Sequence, residues 1–146
     1  ADCLPLLLFD PENRVIAAVH AGWRGSAAGI CAEGIRKMRE LGANPAVTRA
    51  AIGACIHSCC FEVREDFADS VRLMCGSELA HKVISHRDDR MFADIVKLNT
   101  EVLLGCGIPP ENIDVNPACT CCEGSLYFSH RATGGRRGTM AAVITL

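Results

Sequence analysis

The start of the chain constrains its fold most. Two apolar runs, 4–9 and 15–19, flank Asp10-Pro11-Glu12-Asn13. Asp first and Pro second is favoured type I turn chemistry, so a β-hairpin is expected. In its first strand Leu4, Leu6 and Leu8 face one side, and Cys3, Leu7 and Phe9 the other. Both faces are apolar, so the strand needs cover on each side and belongs inside a layered fold. The simplest register sets Asp10 against Asn13 and therefore Cys3 against His20, as a non-hydrogen-bonded pair with Cβ atoms about 4.5–5.5 Å apart. Pro5 then loses no bond to that partner. A thiolate and an imidazole so placed can share a metal ion, or act as nucleophile and base.

The chain has 146 residues, enough for one domain spanning 1–146. Its 49% hydrophobic and 22% charged residues are those of a soluble globular protein. A net charge of −2 without a large basic cluster argues against nucleic acid as a partner. No apolar run reaches the roughly 18 residues of a membrane span. The chain opens without Met inside an expected buried strand, so a further portion is expected before Ala1. Ten cysteines in a helix-bearing sequence suggest reduced thiols and a cytoplasmic protein. Cys31, Cys75 and Cys106 fall at core positions of expected helices.

Further along, Ser26 is an expected N-cap for a helix over 27–41, stopped by Gly42. A strand is expected over 47–53, and a helix over 65–74 ended by Gly76. Residues 77–92 carry no clear pattern. A third helix is expected over 93–104 with Asp94 as cap, followed by strands at 113–115, 126–128 and 140–144. A turn at 134–138 joins the last two. Elements interleave without regular βαβ spacing, which makes the class α+β.

Four groups can carry chemistry. Beside Cys3 and His20, the segment Gly22-Trp23-Arg24-Gly25-Ser26 runs into a helix N-terminus. There Gly25 and Ser26 would offer N–H groups to an anion, and Arg24 a bidentate contact. The simpler alternative is a capped turn with Arg24 on the surface. Cys55, Cys59 and Cys60 with Cys119, Cys121 and Cys122 supply enough thiolates for structural zinc, but the spacing matches no common knuckle. Packing or a stray thiol is the simpler reading, and His57 between them is equally ambiguous. Ser129-His130-Arg131, with the glycine–arginine turn at 134–138, can meet an anionic substrate or be a solvated loop.

The stretches Ala1-Asp2-Cys3-Leu4-Pro5 and His20-Ala21-Gly22-Trp23-Arg24-Gly25 resemble the YfiH-like, laccase-domain purine nucleoside phosphorylases, formerly called polyphenol oxidases. So do Ile52-Gly53-Ala54-Cys55-Ile56, Cys60-Phe61-Glu62-Val63, Leu98-Asn99, Cys119-Thr120, Phe128-Ser129-His130-Arg131 and Met140-Ala141-Ala142-Val143-Ile144. They follow the family's order over essentially the whole chain. The resemblance implies a four-layer α/β/β/α sandwich with mixed sheets, and zinc held by one Cys and two His. Cys3 and His20 match two of these ligands, and the third belongs to a segment before Ala1. It implies phosphorolysis of adenosine- or inosine-type nucleosides to base and ribose 1-phosphate, with adenosine deamination also reported. Arg24 and Arg131 would then serve the phosphate. This sequence departs from the pattern at Ala54, His57 and Ala132; Arg136 or Arg137 can replace the charge usual at 132. The expected partners are a purine nucleoside and phosphate, and the protein would be a monomer or homodimer.

Two rival chemistries remain. One is a cysteine hydrolase with Cys3 as nucleophile and His20 as base. The other is copper polyphenol oxidation, which is disfavoured by only five His and no His-x-His pair. A third reading is a non-catalytic metal-binding or partner-binding domain.

Overall fold

The computed structural model describes all 146 residues. Strand β1 (Leu4–Asp10) turns into β2 (Val15–Ala21), followed by helices α1 (Trp23–Ala27) and α2 (Ile30–Glu40) and strand β3 (Arg49–Ile52). Then come β4 (Glu62–Val63), α3 (Glu65–Val83), the hairpin β5 (Ile84–Arg87) and β6 (Arg90–Ala93), and α4 (Ile95–Gly105). A 3-10 turn at Pro110–Asn112, β7 (Ile113–Val115) and α5 (His130–Thr133) complete the chain. One sheet has the order β2-β1-β3-β7, antiparallel except for the parallel β3/β7 pair; the other, β4-β6-β5, is antiparallel. The class is therefore α+β.

The first hairpin forms with a register shifted by two residues from that expected: Asp10 faces Val15 and Pro5 faces His20. The Asp10 carboxylate is the cause. It accepts the N–H groups of Glu12 and Asn13 (both 2.9 Å), the Asn13 amide (3.0 Å) and the N–H of Asn44 (2.7 Å). Arg14 follows in the left-handed region at φ 54°. A bare type I turn twists against its strands, and a left-handed residue after it corrects the twist. An even shift keeps every side chain on its face, so Cys3 and His20 stay on the same side of the sheet. Pro5 turns its backbone toward β3, where its carbonyl accepts the Gly53 N–H at 2.9 Å.

Leu4, Leu6 and Leu8 are wholly buried in one core with Ile35 and Met38 of α2 and Leu98 and Leu103 of α4. The opposite face, with Pro5, Leu7 and Phe9, is only half-buried. Residues 140–144, expected as a strand, are coil, and 139–142 line a cleft on that face with Pro5, Leu7 and Ala18. Chain laid across a sheet face cannot enter its hydrogen-bond ladder, which runs along the edges. Residues 126–128 form a turn instead of a strand, with Leu126 and Tyr127 donating to the Glu123 carbonyl (2.9 and 3.0 Å).

The helices differ in detail. Gly29, at φ 76°, separates α1 from α2, so the helix expected over 27–41 starts only at Ile30, and the short α1 before it was not expected. Helix α3 runs past Gly76, which interrupts it with non-helical angles (φ 81°, ψ 166°). Asp94 caps α4, accepting the Lys97 N–H at 2.8 Å, as expected. No helix is long and apolar enough to cross a membrane.

Candidate active site

Cys3 precedes β1, and His20 lies one residue from the end of β2. Both side chains are exposed on the half-covered face. They converge on Gly22: a Cβ there would lie 3.2 Å from Cys3 Sγ and 3.6 Å from His20 Nε2. Gly22 has ordinary extended angles (φ −68°, ψ 167°), so its missing side chain matters as space rather than as backbone freedom. A soft sulfur and an imidazole nitrogen flanking one small gap are a donor set suited to zinc, and two donors leave the remaining positions open. Cys3 and His20 are thus brought together, diagonally rather than directly opposite.

They line a cleft of about 670 Å³ with Asn116, Tyr127 and Arg137. Its floor is Pro5, Leu7 and Ala18, and its far wall is residues 139–142. An apolar floor with a few polar groups is the usual make-up of a small-molecule site. Asn116 and Tyr127 carried no motif; only the fold of the C-terminal segment brings them here.

The expected anion loop is built differently. Ser26 lies inside α1, wholly buried, donating to the Ala21 carbonyl (3.3 Å) and accepting from Asn99 Nδ2 (2.9 Å). Asn99 also donates to the Ile95 carbonyl (2.8 Å) and accepts from Cys31 Sγ (3.0 Å), whose thiol burial pushes up to about 12. Ser26 is therefore a core tie: its hydroxyl is enclosed and engaged, and the N–H expected to meet an anion donates to the Gly22 carbonyl at 2.8 Å. Gly25 is backed by Ile30 Cγ2 and the His20 carbonyl, 3.3 and 3.6 Å from its would-be Cβ. Arg24 is exposed with its guanidinium 4.2 Å from the Trp23 ring centroid, and it is in no ion pair. Trp23 stacks toward Phe67 (6.1 Å), which meets Phe61 edge-on (5.7 Å).

Arg131 is tied to the main chain of residues 60–62 and to Asp2. Its guanidinium donates to the carbonyls of Cys60 (3.0 Å) and Glu62 (2.9 Å), while its N–H donates to Asp2 Oδ2 (2.8 Å). Asp2 also accepts the Thr120 hydroxyl at 2.7 Å. Burial alone would raise the Asp2 carboxyl, but these donors hold it below the usual carboxylate value. Asp2, beside Cys3, is thereby anchored to two distant segments.

The thiols of Cys59, Cys60, Cys119 and Cys122 also converge, a group that can hold a metal ion. Burial works to raise the Cys119 thiol, but the N–H groups of His57 and Cys122 and the Cys59 side chain bring it down to about 7. Cys59 and Cys60 are pushed up by burial and by neighbouring thiols. Cys55 and Cys121 stand outside the group, and so does His57, whose Nε2 is buried without a hydrogen-bond partner.

The family model described as multi-copper polyphenol oxidoreductase laccase matches residues 1–146. Among curated relatives, the purine nucleoside phosphorylase YlmD of Bacillus subtilis is 34% identical over 146 residues, covering 99% of this chain and 52% of that protein. Adenosine deaminase RL5, from an unknown prokaryotic organism, is 30% identical over 138 residues, 94% of this chain and 53% of that protein. The crystal structure of the Bacillus licheniformis hypothetical protein YfiH superposes with a TM-score of 0.87 at 36% identity, over 93% of this chain and 51% of that one. The chain thus spans about half the length of the curated relatives it matches. On the full-length family match and the close superposition, this chain belongs to the YfiH-like family described as multi-copper polyphenol oxidoreductase laccase.

Proposed function

We propose that this chain carries part of the active site of a zinc-dependent purine nucleoside phosphorylase, releasing base and ribose 1-phosphate from adenosine- or inosine-type nucleosides. The observation that carries the reading is the convergence of Cys3 Sγ and His20 Nε2 on the gap at Gly22, at the wall of a cleft. The names of the relatives support the substrate class. Cys3 and His20 would hold the zinc, which when bound polarises a coordinated group or brings a water toward a pKa of about 7.

The other groups act by binding and orientation. The nucleoside rests on the apolar floor of Pro5, Leu7 and Ala18, and Tyr127 and Asn116 offer hydrogen bonds to its base or sugar. Arg137, the cation lining the cleft, meets the phosphate, and Arg24 is the second candidate because its guanidinium is free of carboxylates. Cleavage of the glycosidic bond builds positive, oxocarbenium-like charge on the sugar, so a phosphate held in line both attacks and neutralises. Adenosine deamination at the same site is a second reading, favoured by the deaminase among the relatives.

The test uses the natural gene product that contains this chain, with adenosine or inosine and varied phosphate. Arg137→Ala is expected to raise the phosphate KM at least ~10-fold with little change for the nucleoside. A phosphate KM untouched by Arg137→Ala and by Arg24→Ala would remove the anion assignment. Base release at full rate without phosphate would favour a hydrolase.

A further inference from the structure

We propose that Cys59, Cys60, Cys119 and Cys122 form a second metal centre, a tetrathiolate site for one zinc ion, which clamps the 55–60 loop to the turn at 119–123. The proposal is independent of the reading of the cleft. The four sulfurs all lie within 4.8 Å of one another, with Cys122 Sγ 3.6 Å from Cys59 Sγ and 3.4 Å from Cys60 Sγ. Four thiolates about 2.3 Å from one tetrahedral ion stand ~3.8 Å apart, whereas disulfide sulfurs sit at ~2.05 Å. The observed spacing is that of ligands around a single ion, and all ten cysteines are free.

The backbone holds the ligands in place before any ion binds. Cys59 and Cys60 sit on a turn closed by the N–H groups of Cys60 and Phe61 on the His57 carbonyl (3.0 and 2.9 Å). Cys119-x-x-Cys122 sits on a second turn, with Cys122 and Glu123 donating to the Cys119 carbonyl (both 3.0 Å). A parallel bridge between Cys55 and Cys119, with the Thr120 N–H on the Cys55 carbonyl at 3.0 Å, sets the two turns side by side. The His57 N–H donates to Cys119 Sγ at 3.4 Å, the kind of contact that orients a thiolate ligand.

Charge is also provided for. Zinc with four thiolates carries a net charge of −2, and binding releases the thiol protons to solvent. Two guanidinium groups are tethered to the same loop: Arg131 donates to the Cys60 carbonyl and Arg87 to the Ser58 carbonyl. Cys59 and Cys122 are exposed, which leaves a path for the ion, while Cys119 is buried. Soft sulfur donors in a tetrahedron select zinc over magnesium or calcium.

The experiment takes the natural gene product with Cys3→Ser and His20→Ala, so that metal content reports this cluster alone. Zinc is expected at one equivalent per chain, with an X-ray absorption shell of four sulfurs at ~2.3 Å. Adding Cys59→Ser and Cys122→Ser should lower zinc at least ~10-fold, whereas Cys121→Ser should leave it. Iron in place of zinc, a shell rich in nitrogen or oxygen, zinc indifferent to Cys59→Ser and Cys122→Ser, or a mass deficit marking disulfides would each overturn the proposal. Should the variants fail to fold, cadmium-113 NMR of the cadmium-loaded wild type decides. A four-sulfur resonance supports the centre, and its absence refutes it.

Discussion

Asp2 does more for this site than its neighbour Cys3 reveals in sequence. It adopts a left-handed conformation at φ 69°, and its carbonyl accepts the Ile56 N–H at 3.0 Å. Its carboxylate meanwhile takes Thr120 and Arg131. Both carboxylate bonds are charge-assisted, so Asp2→Ala is expected to cost ~2–4 kcal/mol, read by urea denaturation. Asn99 is the buried counterpart. Replacing it with Ala strands Ser26 and Cys31 beneath the 22–25 segment, and a loss of ~2–3 kcal/mol is expected in the same measurement. Ser26 itself looked like a helix cap, because Ser before a run of Ala commonly is one. Only the buried Asn99, 73 residues away, reveals that its hydroxyl points inward.

At the scale of elements, turns decide what could be read. The Cys3/His20 juxtaposition was legible because a two-residue error in register preserves parity, and parity alone puts both on one face. The β5–β6 hairpin was not. Its turn residues Asp88 and Asp89 both have positive φ (49° and 56°), a type I′ geometry normally announced by glycine. Asp-Asp hides that signal. Asp89→Gly is accordingly expected to stabilise the protein by ~1 kcal/mol in chemical denaturation, by relieving left-handed strain. In the first hairpin, the bonds from Asn13, Asn44 and Glu12 hold the Asp10 carboxyl down at about 2 against an ordinary 3.8. A depressed folded value means that its stabilisation is whole above pH 3.8 and is lost as pH falls through about 2. Acid unfolding of Asp10→Asn should therefore be flatter across that window than that of the wild type; superimposable curves would contradict the assignment.

For the molecule as a whole, one face of the main sheet is sealed by helices and the other presents Cys3 and His20. Leu4, Leu6 and Leu8 anchor the sealed face, and alternation alone assigns the half-covered face to Cys3, Leu7 and Phe9. What escaped sequence reasoning was how the C-terminal segment lies: across the sheet, walling a cleft with Tyr127 and Arg137. The thiol cluster was legible only as two cysteine groups with enough thiolates for zinc; which four sulfurs meet depends on a single isolated bridge between Cys55 and Cys119. The central claim is that Cys3 and His20 serve phosphorolysis in that cleft. Phosphorus NMR of the natural gene product turning over inosine with phosphate tests it most directly. Ribose 1-phosphate should appear in step with free base, and both should fall at least ~100-fold in Cys3→Ala, the loss of a zinc ligand. Free ribose in place of ribose 1-phosphate, or an undiminished rate in Cys3→Ala, would contradict the account.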